Sequence, residues 1–300
     1  MSLIPPKKSW PEFVQALDGA PAKVWCTASA VERVRRISPW PVSTKVPSIT
    51  GGEWIVAVGG GKIIDEAKLL RAQNRGAKLA AVPTIWGSGA EASPIAVWSE
   101  GSRKVFRRDA SLLPDIIVSI PELSETLSPE LVRWACGDSW AHSLEGFLSP
   151  LASDETRRCL AEVMQAMLKL GVKNDPEWFE LSARACAGQA ESSVGLVHGI
   201  AHAIEAGSGF GHARLCATLL LPVMRFNKNK SPKWPLLAER ALSDEAILDT
   251  CRTFFDPGGF DHLRPIVAAK WRDVLRDPCT RTNSALVRPD DLEFFENFVP

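Results

Sequence analysis

Residues 53–68 read EWIVAVGGGKIIDEAK, an apolar run that leads into three glycines and then into a segment with helical periodicity. A short run that is apolar throughout is typical of a strand buried on both faces of a parallel sheet. Strands that alternate with helical segments predict an α/β domain with a Rossmann-like parallel sheet, which we place at residues 1–122. The other β-rich runs are at residues 22–28, 77–84, 94–99 and 114–120.

The rest of the chain has a different character. From about Ser124 the β-signal ends, and long segments with a 3.6-residue period take over. These segments predict an all-helical domain at residues 123–300, with the boundary at the turn around Pro121 and Ser124. The longest of them are residues 128–148, 153–171 and 176–207.

Composition excludes several classes of partner. The 300 residues include 35 basic and 35 acidic side chains, so neither nucleic acid nor an anionic membrane is an expected partner. The apolar run at residues 215–224 falls short of the roughly 18 residues of a membrane span, and residues 1–13 lack the apolar core of a secretory signal. Seven cysteines without a CxxC pair argue against a disulfide framework and against a thiolate metal site, and favour a reducing cytoplasm.

Two loops follow predicted strands and offer backbone donors. Gly59, Gly60 and Gly61, with Lys62, open a helix whose free N–H groups could hold a diphosphate. A tight turn without a ligand explains a glycine triplet equally well, and the motif is neither GxGxxG nor a Walker loop. The second loop, PTIWGSGAE at residues 83–91, also follows a β-run, so both loops should meet at one edge of the sheet.

Four of the five histidines lie in one part of the chain with an aspartate in register. The pattern is Asp138-x3-His142, then His198-x3-His202, then His212. Because residues i and i+4 share a helix face, each pair would present two polar groups to one cavity. A single histidine is more often a core or surface residue, but this clustering indicates a metal or catalytic site. Mixed nitrogen and oxygen ligands suit Fe(II) or Zn(II).

Together these motifs resemble the iron-containing (group III) alcohol dehydrogenases, within the dehydroquinate synthase-like superfamily. AVGGGKIIDEAK is similar to the family's GGGSxxDxAK, VPTIWGSGAEAS to its PTTxGTGSE, and GDSWAHSLEGFLSP to its DAxxHxxE. The segment from residue 195 to 227 is similar to its metal-binding segment. The resemblance implies a dehydroquinate synthase-like fold, with a shortened nucleotide-binding domain followed by an all-helical metal-binding domain.

The resemblance also implies roles for particular residues. It makes His202, which is not a ligand in the family, a candidate proton relay. It implies Fe²⁺ or Zn²⁺ as the metal, NAD or NADP as the cofactor, and a homodimer. The implied metal ligands are Asp138, His142, His198 and His212. The implied cofactor-binding residues are Gly59, Gly60, Gly61, Lys62, Asp65, Thr84, Ser88 and Lys104.

The implied activity is interconversion of a small alcohol and its aldehyde or ketone by hydride transfer, with the metal polarising the substrate oxygen. Three other interpretations stay open: a lyase or cyclase similar to dehydroquinate synthase that uses NAD transiently, a polyol oxidoreductase similar to glycerol dehydrogenase, and a degenerate binding scaffold.

Departures from the family pattern lie in the first half. Lys62 replaces the usual serine, and the stretch from Lys23 to the glycine loop is short, which affects the adenosine half of the cofactor site. Where NAD-preferring members tend to carry an aspartate after the first strand, this chain reads CTAS at residues 26–29, and arginines at 33, 35 and 36 lie close by, so NADP is as compatible as NAD.

Overall fold

The structure is a computed structural model that describes residues 4–101 and 103–300. Its strands form a larger sheet and a separate hairpin. Within the described residues the strands are β1 (Lys7–Ser9), β2 (Ala22–Cys26), β3 (Val42–Ser43), β4 (Trp54–Gly59), β5 (Lys78–Pro83), β6 (Ile95–Glu100), β7 (Arg103–Arg108) and β8 (Ile116–Ser119). Six of them form a parallel sheet in the order β1-β8-β5-β4-β2-β3, which confirms the predicted α/β class.

Helices flank this sheet and form all of the second half. Within the described residues they are α1 (Trp10–Leu17), α2 (Val31–Ile37), α3 (Gly61–Gln73), α4 (Pro129–Leu148), α5 (Asp154–Leu170), α6 (Glu177–Ser192), α7 (Leu196–Ser208), α8 (His212–Lys230), α9 (Asp244–Phe254), α10 (Pro257–Arg276), α11 (Pro278–Arg281) and α12 (Leu292–Glu296). Among these described helices none is long and apolar enough to cross a membrane. The boundary near residue 122 stays a prediction, although strands end at Ser119 and α4 begins at Pro129.

The run at residues 94–99 was expected in the parallel sheet, and that expectation is wrong. It forms β6, which pairs antiparallel with β7 in its own two-stranded sheet. The physical reason is the connection, since only two residues separate β6 from the basic strand RKVFRR. A parallel pair needs a crossover of a dozen or more residues, whereas a short link permits only an antiparallel hairpin.

The segment at residues 176–207 is likewise two helices rather than one. It breaks between α6 and α7 at Ser193, whose φ of 71° lies in the left-handed region.

The first half of the chain is short in the structure as well, because β3 has only two residues and no helix forms in the described residues 44–53. There Ile49 packs against the buried Trp25, so a loop side chain covers the sheet where a crossover helix would otherwise lie.

Helix α4 lies at the centre of the helical half, between α6 and α8. It is buried from Ala135 to Leu148, because apolar clusters surround it on all sides. Its N-terminus is capped by Ser128, whose hydroxyl accepts from the amide of Leu131. The halves meet where Trp86, after β5, stacks on Trp178 of α6 at 6.4 Å between ring centroids. Any polar residue on this stretch of α4 must therefore find a partner inside the protein.

Candidate metal centre and cofactor loops

Two polar atoms at the centre of the helical half are buried without a hydrogen-bond partner. They are Oδ1 of Asp138, on α4, and Nε2 of His198, on α7. Asp138 is 1% exposed and His198 is 3% exposed, and the two atoms are 3.8 Å apart. Burial of an unpaired polar atom costs about 1–3 kcal/mol, and the cost is larger when the group is charged. Such a pair of atoms is well explained by a cation that binds between them.

Further donors surround the same space. Nε2 of His212, the first residue of α8, lies 4.0 Å from Oδ1 of Asp138. Donor atoms of Asp138, His198, His212 and Cys216 all lie within 4.8 Å of one another. A divalent ion with bonds of about 2.0–2.3 Å to nitrogen, oxygen and sulfur can contact four donors spaced in this way. The donor set therefore fits a transition metal.

His142 lies beside this group. Its ring stacks on His198 with 4.7 Å between centroids, and its Nδ1 lies 3.1 Å from the carbonyl oxygen of Gly87. Burial lowers the pKa of His142, which favours the neutral imidazole that binds metals. Gly87 belongs to the second predicted loop, so this contact joins that loop to α4.

Glu145 orients His198. Its Oε2 lies 2.7 Å from Nδ1 of His198, and its Oε1 accepts the backbone N–H of Val197 at 2.5 Å. Burial raises the pKa of Glu145 to about 8, and burial also lowers the pKa of His198, so both groups favour their neutral forms without a nearby cation. A ligating histidine commonly binds a carboxylate through its other nitrogen, which is the arrangement seen here.

Glu205 links His212 to the hairpin. Its Oε2 lies 3.3 Å from Nδ1 of His212, and its Oε1 lies 2.9 Å from Nζ of Lys104 on β7. Burial alone would raise the pKa of Glu205, but His212 and Lys104 outweigh it and lower that pKa to about 2. Burial likewise opposes protonation of His212, yet the carboxylates of Glu205 and Asp138 raise its pKa.

His202 lies apart from the compact donor group. Its Nδ1 is 3.4 Å from Oδ2 of Asp277 and 3.8 Å from Sγ of Cys279. Its ring stacks on that of His212, with 5.9 Å between centroids and an interplanar angle of 19°. His198 and His202 thus both lie on α7, as their i, i+4 spacing predicted, but their rings have different polar partners.

The two predicted cofactor loops meet at the carboxyl edge of the sheet. The amide of Thr84 donates to the carbonyl of Gly59 at 3.1 Å. A methyl group on Gly61 would lie 2.6 Å from Oγ of Ser88, so only glycine permits this approach. Gly60 precedes α3 in extended conformation, and Lys62 is exposed on its first turn. The carboxyl edge of the sheet is therefore lined by the backbone amides at the start of α3 and by the hydroxyls of the second loop.

Two residues expected at the cofactor have protein partners. Asp65 is buried, accepts from Nζ of Lys68 at 2.9 Å, and accepts the amide of Val97 at 3.1 Å. These bonds attach α3 to the hairpin. Lys104, as described, is paired with Glu205.

Two of the three arginines near Thr27 also have protein partners. Arg33 donates to the carbonyls of Glu122 and Leu123, whereas Arg35 pairs with Glu32 at 2.6 Å on the surface. Arg33 therefore holds α2 against the end of the first half.

Comparison with known proteins agrees with this geometry. The sequence model described as "Iron-containing alcohol dehydrogenase" matches residues 46–121. Alcohol dehydrogenase 4 of Schizosaccharomyces pombe is 28% identical over 71% of this chain and 52% of its own length. Probable alcohol dehydrogenase EutG of Salmonella typhimurium is 27% identical over 76% of this chain and 68% of its own length. The chain is thus similar to the iron-containing alcohol dehydrogenase family.

The chain spans only about half the length of several curated relatives that it matches; maleylacetate reductase 1 of Rhodococcus opacus, for example, is matched over 52% of its length. Solved structures share the fold. An iron-containing alcohol dehydrogenase from Thermococcus thioreducens superposes with a TM-score of 0.82 at 18% identity, over 98% of both chains. Sulfoacetaldehyde reductase from Bifidobacterium kashiwanohense, in complex with NAD⁺, superposes at 0.81 with 17% identity, over 98% of this chain and 96% of that one. The predicted resemblance to this family and the predicted fold are confirmed.

The motifs alone missed several residues of this candidate site. Glu145 follows Asp138 and His142 at helical spacing, and Cys216 follows His212 by four residues, so periodicity was an available signal for both. Asp277, directly after α10, and Cys279, on α11, contact His202, and no local spacing marks them.

Proposed function

We propose that this protein is a metal-dependent NAD(P) oxidoreductase that interconverts a small alcohol and its aldehyde or ketone. The buried, unpartnered pair formed by Oδ1 of Asp138 and Nε2 of His198 carries this proposal, since a cation between the two atoms would give both of them a partner. Similarity to the iron-containing alcohol dehydrogenases supports alcohol and aldehyde oxidoreduction as the reaction class.

The proposed metal ligands are Asp138, His142, His198 and His212, and the donor chemistry fits Fe²⁺ or Zn²⁺. A bound divalent ion would supply Lewis acidity to the oxygen of the substrate. The outer partners keep the ligand nitrogens oriented, since Nδ1 of each histidine binds Gly87, Glu145 or Glu205.

Proton transfer is assigned to His202. Asp277 lies at its Nδ1, and its ring lies 6.1 Å from that of His198 and 5.9 Å from that of His212 between centroids. An imidazole fixed in this way could take the alcohol proton at Nε2 and pass it toward solvent, because His202 is partly exposed.

Cofactor binding is assigned to the two loops. Gly59, Gly60 and Gly61, with Lys62, would hold the pyrophosphate, and Thr84 and Ser88 would line the adjacent cleft. We assign Asp65 and Lys104 to supporting roles at this site, because Asp65 fixes the hairpin and Lys104 binds Glu205. Both NAD and NADP are candidates, since Thr27 carries no acidic group against a 2′-phosphate.

The direct test is turnover. Protein loaded anaerobically with Fe(II) or with Zn(II) is mixed with NADH or NADPH and a panel of short aldehydes, and absorbance of the reduced cofactor is followed. We expect oxidation of the reduced cofactor, and loss of most bound metal in His198→Ala. Absence of turnover and of cofactor binding with either metal would refute the proposal. Product without net cofactor oxidation would instead indicate a lyase or cyclase similar to dehydroquinate synthase.

A further inference from the structure

Cys216 lies at the metal group although no cysteine motif marks it. It is one helical turn after His212 on α8, so both side chains project from the same face. It is fully buried, and its Sγ lies 3.5 Å from Nε2 of His212. Among the described residues, Sγ of Cys216 belongs to a group of four donor atoms that all lie within 4.8 Å of one another. The other three come from Asp138, His198 and His212.

We infer that Cys216 supplies a thiolate ligand to the metal in addition to the four proposed ligands, on the side of Asp138, His198 and His212. This inference rests on the proposed metal site and extends it. Independent support comes from Oδ1 of Asp138 and Nε2 of His198, which are buried without partners and belong to the same four-donor group as Sγ. The sulfur atom is thus grouped with the two atoms that most require a cation.

A buried cysteine is often only a small apolar side chain, and Cys251 on α9 illustrates that case. Cys251 is fully buried within the large apolar cluster of the helical half. Cys216 differs because its Sγ lies among polar donor atoms rather than only apolar ones: it is 3.5 Å from Nε2 of His212 and within 4.8 Å of donor atoms of Asp138 and His198.

The ligand also changes which metals the site prefers. A thiolate is a softer donor than carboxylate or imidazole, so it shifts preference toward Zn(II), Fe(II) and Co(II) and away from Mg(II) and Mn(II). On metal binding the S–H bond breaks, the sulfur electron pair forms the metal–sulfur bond, and the proton is released to solvent.

The test uses the full chain loaded with Co(II). Wild type should show visible d–d bands and, in addition, a near-ultraviolet charge-transfer band from thiolate to cobalt. Cys216→Ser should lose the near-ultraviolet band and keep the d–d bands. Its Zn(II) affinity should fall by about tenfold or more, because loss of an outer partner of a ligand already lowers metal affinity by about that factor. Cys251→Ser is the matched control, because it makes the same change at an equally buried position, and it should keep both bands.

A second measurement needs no variant. X-ray absorption at the zinc edge of wild-type protein should show a sulfur neighbour at about 2.3 Å. Stoichiometric metal with nitrogen and oxygen neighbours only, and no charge-transfer band, would overturn the thiolate ligand while the proposed metal site stands. Wild type that binds neither Co(II) nor Zn(II) would overturn both.

Discussion

Replacement of Glu145 by glutamine should weaken metal binding without removing a ligand. The carboxylate of Glu145 is completely buried, with Oε2 at 2.7 Å from Nδ1 of His198 and Oε1 at 2.5 Å from the amide of Val197. Glutamine keeps the size of the side chain and can still accept from Val197. Its NH₂ group, however, would donate to Nδ1 of His198 and thereby move the ring proton to Nε2, the atom that faces Asp138.

Loss of an outer partner of a ligating histidine typically lowers metal affinity about 10- to 100-fold, which corresponds to about 1.4 to 2.7 kcal/mol. We expect Glu145→Gln to show this loss in a competition titration of Zn(II) against a chromophoric chelator. Glu162→Gln is the control, because Glu162 is 59% exposed in a surface pair with Arg184 and should leave the affinity unchanged. Equal Zn(II) affinity in wild type and Glu145→Gln would refute the assigned role of Glu145.

Three further changes are expected to have measurable effects. Burial raises the pKa of Glu91 to about 7, so its contribution to the free energy of unfolding should be full below about pH 4.5 and fall by up to about 3 kcal/mol as pH rises through 7; melts of Glu91→Gln should show a smaller slope against pH than wild type. Gly89→Ala should lower stability by about 1–3 kcal/mol or more in denaturant titrations, because its methyl would lie 2.2 Å from Cβ of Cys186 and φ is +56°. Asp277→Asn should lower kcat about tenfold and move its pH profile, with metal content unchanged, because His202 loses the carboxylate at Nδ1.

Controls separate these effects from general damage. Gly207→Ala places a methyl where no atom lies within 4 Å, so it should cost little compared with Gly89→Ala. Similar slopes of stability against pH in wild type and Glu91→Gln would contradict the assignment to Glu91. An unchanged pH profile in Asp277→Asn would show that Asp277 does not position His202.

The fold class and the clustering of the candidate ligands could be predicted from the amino-acid sequence. Buried apolar runs with period and length typical of strands predicted β2, β4, β5 and β8, since local pattern reflects which faces are covered. Helical spacing likewise placed Asp138 with His142 on one helix, and His198 with His202 on another. These features are local, because a few neighbouring residues and the helical period suffice to produce them.

Only the tertiary structure decided which of these side chains meet. His142 binds the carbonyl of Gly87 from the other half, whereas His202 binds Asp277 from the far end of α10. Lys104 reaches Glu205 because β6 and β7 form a hairpin rather than part of the parallel sheet. Such contacts join residues far apart in the chain, and no local period encodes them.

Cysteine usage shows the same limit. Without a CxxC pair the sequence argued against a thiolate metal site, yet the fold brings the single thiol of Cys216 into the donor group of Asp138, His198 and His212. A motif of closely spaced cysteines can be found in the sequence because its ligands are neighbours along the chain. A lone cysteine gains its metal-binding surroundings only when α4, α7 and α8 pack together and their buried donors face a common space.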